Sequence, residues 1–180
     1  MDNTEKLFKR VCSYNGVITT TYLDRVVLSN GQHSLREVVE HPGGVTVIPV
    51  DDDGNVWCVR QYRYPMGEHM LETPAGKLEK DEDPKDCAVR ELSEETGITA
   101  REYVYLGEIC PSPGFCREVI YIYLALGLEY GESHPDENEL LDVEKHTLDE
   151  LWDMVMKNEL RDAKTVIAVM KAKAWLDRRK

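Results

Sequence analysis

The sequence has 180 residues, 42% hydrophobic and 31% charged, which is ordinary for one soluble domain with a sizeable core. Its formal net charge of −12, from 22 basic and 34 acidic residues, argues against a general binder of nucleic acid or of anionic membranes. No apolar run reaches membrane-spanning length, the charged and polar opening predicts no signal peptide, and five scattered cysteines without a Cys-x-x-Cys pair suit reduced cytoplasmic thiols, not a disulfide framework or a zinc site.

Residues 4–14 form a short strand or helix. Residues 17–28 (VITTTYLDRVVL) are rich in β-branched side chains and predict a strand. Ser29-Asn30-Gly31 marks a turn, and residues 34–40 (SLREVVE) predict the second arm of a hairpin, broken by Pro42-Gly43-Gly44. Residues 45–50 (VTVIPV) predict a buried strand, with an acidic Asp-Gly turn at 51–55 and a hairpin partner at 56–61. After residues 76–98, strands are predicted at 103–110, 118–128 and 141–145. A Pro-rich loop separates the first two, and a long acidic loop, residues 129–140, precedes the last. Two helices close the chain. One spans 147–157, with Thr147 and Glu150 in a capping box; the other spans 162–179, with Val166, Ile167, Val169, Met170, Ala174 and Leu176 on its buried side. Strands around one central helix, with two helices after them, predict an α/β (α+β) domain with a mixed sheet covered on both faces.

The organising stretch is Gly76–Ile98, GKLEKDEDPKDCAVRELSEETGI. Asp83 suits a helix N-cap, Pro84 the first helical position, Asp86 the positive end of the helix dipole, and Gly97 the residue just past the end. A helix over 84–96 follows. On it Glu91 and Glu95 share a face, Glu94 lies beside them, and Arg90 stands four before Glu94 and can pair with it. Clustered carboxylates repel, and a hard divalent cation offsets that repulsion; the alternative is a solvated acidic face. Gly76 reads as a tight turn and Glu82 as a brace for the loop.

The stretch matches G-x5-E-x7-R-E-U-x-E-E-x-G-U, where U is aliphatic, at every fixed position: Gly76, Glu82, Arg90, Glu91, Leu92, Glu94, Glu95, Gly97 and Ile98. In this pattern, the Nudix box, it resembles the Nudix hydrolases. The resemblance implies an α/β/α sandwich that uses Mg²⁺ or Mn²⁺, with two or three ions per site, to split a diphosphate linked to another group. It implies Glu91, Glu95 and the backbone carbonyl of Ala75 as metal ligands, with Glu94 a third ligand or held by Arg90.

Residues 61–76, QYRYPMGEHMLETPAG, resemble the ADP-ribose pyrophosphatase branch, with its QYR and later E-x-P-A-G. Within that branch the water-activating base sits in an acidic loop late in the sheet. Asp136-Glu137-Asn138-Glu139 resembles that segment, which implies Glu137 as the base and Glu139 as a further metal ligand; in other members a box glutamate is the base. The resemblance also implies that Arg63 contacts phosphate, that Ser112 in the 111–115 loop donates to phosphate or ribose, and that Glu118 accepts from ribose hydroxyls. The N-terminal hairpin, residues 1–44, would help build a homodimer, with Arg36 and Glu37 contacting the adenosine half from the partner subunit, and residues 45–180 would form the hydrolase domain. The activity implied is hydrolysis of ADP-ribose to AMP and ribose 5-phosphate. The alternatives are another nucleoside diphosphate sugar (GDP-mannose, ADP-glucose) or a catalytically silent ligand sensor, a class that tends to lose the box residues kept here.

Overall fold

The computed structural model describes residues 3–135 and 140–179. The chain divides into two compact units, Met1–Gly43 with Cys110–Val119, and Gly44–Ile109 with Ile120–Lys180.

The first unit is an antiparallel meander of β1 (Lys6–Asn15), β2 (Thr20–Val27) and β3 (His33–Glu40). The N-terminal residues left open between strand and helix thus form a strand. Bulges at Leu7/Lys9 and Arg10/Cys12 increase its local twist. The Arg10 guanidinium covers the Tyr22 ring at 3.3 Å and pairs with Asp24 at 2.9 Å. β2 begins three residues later than the composition predicts, because Gly16 donates to the Thr19 carbonyl at 2.8 Å and closes a turn through Val17 and Ile18. The Pro-rich loop folds back onto β3: Val39 N–H donates to Phe115 O at 2.7 Å and Arg117 N–H to Val39 O at 2.9 Å.

Among the described residues the second unit has two sheets and three helices. A mixed four-stranded sheet has the order β7 (Ala75–Lys77), β4 (Gly44–Pro49), β9 (Ile120–Tyr130), β8 (Ile98–Ile109); only β4 and β9 run parallel. A three-stranded antiparallel sheet has the order β10 (Leu141–Thr147), β5 (Asn55–Arg63), β6 (Glu68–Glu72). Alternation along β4 and β9 divides the core. Val45, Val47, Tyr123 and Ala125 pack with Cys87, Ala88 and Leu92 of α1 (Pro84–Thr96). Ile48, Val50, Ile122 and Leu124 pack with Leu148 and Leu151 of α2 (Leu148–Met156) and with Ala168, Val169 and Ala172 of α3 (Ala163–Asp177). The mixed sheet is therefore covered by helix on both faces, which is an α/β/α arrangement.

Helix limits follow the caps read from sequence. Asp83 accepts from Lys85 N–H at 2.8 Å, Gly97 has φ 70°, and Thr147 and Glu150 cap each other reciprocally. Two strand readings change. The 45–50 and 56–61 runs do not form a hairpin ladder; they enter different sheets and meet only at the Val50–Val56 bridge. β4 already has β7 and β9 on its two edges, and Pro49 has no N–H to offer a third partner. The run before the box also contains two strands, β6 and β7, that composition does not reveal. The Tyr64–Gly67 turn, with Gly67 at φ 70°, returns the chain beside β5.

Candidate active site

The site is assembled where β7 faces α1. Glu91 and Glu95 are only 8% and 3% exposed, on the same side of the helix that buries Cys87, Ala88 and Leu92. A solvated acidic face is thereby excluded for this pair. Gly76 makes the burial possible. It lies in β7 opposite Val45 with no positive φ, so the tight turn expected there is absent. Its function is spatial: a Cβ at this position would lie 1.9 Å from the Glu91 carboxyl carbon. Beside it, Ala75 N–H donates to Glu95 Oε2 at 3.0 Å.

Arg90 gathers the rest of the box. Its Nε and Nη2 hold Glu82 at 2.9 and 3.1 Å, and its Nη1 donates to Glu91 at 2.8 Å and Glu94 at 3.0 Å. Its Nη2 also reaches the Lys77 carbonyl at 3.3 Å. The hydrogen bond from Arg90, joined by Glu79 N–H, outweighs partial burial and draws the Glu82 carboxyl down to about 2. Glu82 is therefore a brace, as its place in the loop suggests. Bonded first to Glu82 and also to Glu91 and Glu94, Arg90 is held even more firmly in its charged form.

The segment entering β7 is anchored by charge. Glu72, 1% exposed, accepts a two-pronged bond from Arg63 at 2.6 and 2.7 Å and a further one from Lys164 of α3. Burial raises its carboxyl, but Arg63 and Lys164 together outweigh this and leave it below the ordinary range. Arg63, expected to face phosphate, thus spends two of its donors on the protein. Neither Lys164 nor its reach across to Glu72 is signalled by the sequence, because 92 residues separate the two.

Arg36, Glu37, Ser112 and Glu118, also expected at the site, belong to the first unit. Arg36 pairs with Glu5 at 2.5 Å and bonds Ser34 and the Leu35 carbonyl. Glu37 is exposed opposite Leu23. The Ser112 carbonyl accepts from Phe115 and Cys116 at 3.2 and 2.9 Å. Glu118 lies 3.6 Å from His41, whose Nδ1 already accepts from Gly43 N–H at 3.1 Å. Glu137 and Glu139 lie outside the described residues. On one side of them His134 N–H donates to the Glu94 carbonyl at 2.9 Å, and on the other Leu141 stands opposite Gln61.

Among the described residues no group of three or more His, Cys, Asp or Glu side chains is placed to hold a metal ion. What is placed is a pair of buried carboxylates on one helix face, next to the backbone of Ala75, with a glycine clearing the space around one of them. This all-oxygen donor set suits a hard divalent cation that keeps water or phosphate as its other ligands.

Two expectations follow from this geometry. Gly76→Ala should fold, since the clashing atoms are the movable end of Glu91, but a crystal structure should show the Glu91 carboxylate displaced; an unmoved carboxylate would refute the spatial role of Gly76. Glu82 is depressed in the folded state to about 2 from an ordinary value of 4.5. Its contribution is therefore complete above about pH 4.5 and is lost as pH falls towards 2. Denaturant midpoints of the parent should fall more steeply across that window than those of Glu82→Gln, and equal slopes would show that Glu82 adds no acid sensitivity.

Comparison with known proteins agrees with the box. The NUDIX domain family matches residues 40–169. The chain is 42% identical over 167 residues to the "Methanol dehydrogenase activator" of Bacillus methanolicus and 40% identical over 167 residues to the "ADP-ribose pyrophosphatase" of Bacillus subtilis strain 168, covering in each case 92% of this chain and 90% of the relative. A solved structure described as an ADP compounds hydrolase superposes with a TM-score of 0.85 over 97% of this chain and 95% of that one, at 21% identity, and so shares the fold. With the family matched over residues 40–169 and every fixed position of the box present, the chain belongs to the Nudix family.

Proposed function

We propose that the protein is a cytoplasmic, divalent-metal-dependent hydrolase that splits ADP-ribose into AMP and ribose 5-phosphate. The observation that carries this reading is the buried Glu91–Glu95 pair beside the Ala75 backbone; the 40% identity to an ADP-ribose pyrophosphatase supports the choice of substrate. Water attacks one phosphorus, the bridging P–O bond breaks, and one proton of the water passes to a carboxylate base. Glu91, Glu95, the Ala75 carbonyl and Glu139 would hold Mg²⁺ or Mn²⁺, two or three per site. When bound, such ions neutralise phosphate charge and lower the pKa of attacking water. That charge matters in a protein of net charge −12, which repels an anionic diphosphate at long range.

The chain's own residues supply the rest. Glu137 takes the water proton; its segment starts two residues beyond His134, which is tied to the C-terminal turn of α1. Arg90 orients Glu91 and Glu94. Arg63 keeps one nitrogen beyond those bonded to Glu72 to meet phosphate, and Ser112 and Glu118 serve the phosphate and ribose.

The N-terminal meander is proposed as a homodimer surface, with Arg36 and Glu37 reaching the partner's adenosine half. All ten residues of β1 are exposed, and Leu7, Phe8, Val11, Tyr14 and Leu35 leave an apolar area open on this unit. Sedimentation should give twice the 20.7 kDa chain mass, and Val11→Asp should shift it towards one chain; a monomeric parent would refute the surface.

A second reading rests on the 42% identity to a methanol dehydrogenase activator, by which the same hydrolytic centre acts on a dehydrogenase partner. Turnover over a panel of ADP-ribose, ADP-glucose, GDP-mannose and NADH, with and without added methanol dehydrogenase, separates the two. A preference in kcat/KM for ADP-ribose without the dehydrogenase is expected. Glu95→Gln should nearly abolish turnover with the fold intact, and Glu137→Gln should lower kcat with little change in KM. Normal activity in Glu95→Gln would end the metal assignment, and an unaffected rate in Glu137→Gln would move the base to another carboxylate.

A further inference from the structure

A chain of buried hydroxyls runs from the mixed sheet to the N-terminal turn of α3 by way of the strand that enters the site. Thr46 of β4, Thr73 and Thr165 of α3 are all 0% exposed. Thr46 Oγ1 and Thr73 Oγ1 lie 2.7 Å apart, Thr73 Oγ1 and Thr165 Oγ1 3.3 Å apart, and Thr165 Oγ1 lies 2.6 Å from Asp162 Oδ2. Each hydroxyl has one proton, and an ionised carboxylate only accepts. The Thr165 proton is therefore committed to Asp162. Thr165 Oγ1 in turn accepts from Thr73 N–H at 2.9 Å, with the Thr73 hydroxyl 3.3 Å away. The single proton of the Thr73 hydroxyl can go to Thr46 or to Thr165, and that of Thr46 to Thr73 or to the Pro74 carbonyl at 3.2 Å.

This chain grips residues 73–75 from the side remote from α1. The Pro74 carbonyl is fixed by Val47 N–H at 2.8 Å, and the next residue, Ala75, donates its N–H to Glu95. Pro74 has no N–H and a fixed φ, so the Thr73 backbone sets the direction in which Ala75 leaves. We propose that Thr165, acting through Thr73, is a positioning residue for the cation site, holding the Ala75 backbone and with it the Glu95 carboxylate in binding geometry. This rests on the reading of Glu91, Glu95 and Ala75 as cation ligands. It assigns the start of the C-terminal helix a task in the site that the box does not contain.

The test is direct Mn²⁺ binding by electron paramagnetic resonance on the full chain without substrate, alongside thermal unfolding. Thr165→Val keeps the side-chain shape but leaves Thr73 N–H without its acceptor. It should weaken Mn²⁺ at least about tenfold, the scale seen when supports of metal ligands are removed, and Thr165→Ser, which restores the hydroxyl, should recover most of the affinity. Val169→Ala, in the same helix and wholly buried but outside the hydroxyl chain, supplies a stability control that should leave Mn²⁺ affinity unchanged. Should Thr165→Val not fold, Thr165→Ala removes the same hydroxyl with a smaller side chain. Parental affinity in the hydroxyl-free variant, with Glu95→Gln losing Mn²⁺, would overturn the positioning role and leave the cation site standing. Parental affinity in Glu95→Gln would overturn the cation reading and the proposal with it.

Discussion

Glu91 and Glu95 are buried on the packing side of α1, and burying a carboxylate costs several kcal/mol unless partners replace the lost water. Among the groups that offset that cost are Arg90 on Glu91 and the Ala75 amide on Glu95, while Gly76 leaves the Glu91 carboxylate its room. Each depends on the others. With a side chain at residue 76 the Glu91 carboxylate has no room, and without β7 drawn against α1 the Ala75 amide does not reach Glu95.

The strand entering β7 is consequently the most constrained backbone near the site. Its charges are held by Arg63 and Lys164 at Glu72, its carbonyl at Pro74 by Val47, and its amides by Thr165 and Glu95. Both sheets of the unit, α1 and α3 all contribute. Low-dielectric surroundings strengthen such a network when every member is satisfied, and make a missing member costly.

Arg90 has the opposite task. It is a single cation among three carboxylates, in a protein whose acids outnumber its bases by twelve. One guanidinium can serve several partners because its donors project in a fixed fork, and lysine at this position could not span Glu82, Glu91 and Glu94 at once. The loop between β7 and α1 is thereby tied to the helix, and Glu82 is kept ionised far into acid.

Sequence alone determined the helix and its carboxylates. Caps at Asp83 and Gly97, the four-residue spacing of Glu91 and Glu95, the capping box of Thr147 and Glu150, and the presence of two C-terminal helices are local properties, fixed within a turn or two of backbone. The box pattern carried the family for the same reason, as its residues all serve one helix and its approach. Tertiary structure alone decided what Gly76 is for, because the atom that excludes a side chain there belongs to a residue fifteen positions on. It also decided that the 45–50 and 56–61 runs part into different sheets, since strand edges are allotted by neighbours distant in sequence. The commitment of Arg63 to Glu72, and the reach of Lys164 and Thr165 from α3 to the entering strand, were likewise invisible. A single lysine or threonine in a helix looks the same in sequence wherever its side chain ends, and only the packing of α3 against the sheet chose these partners.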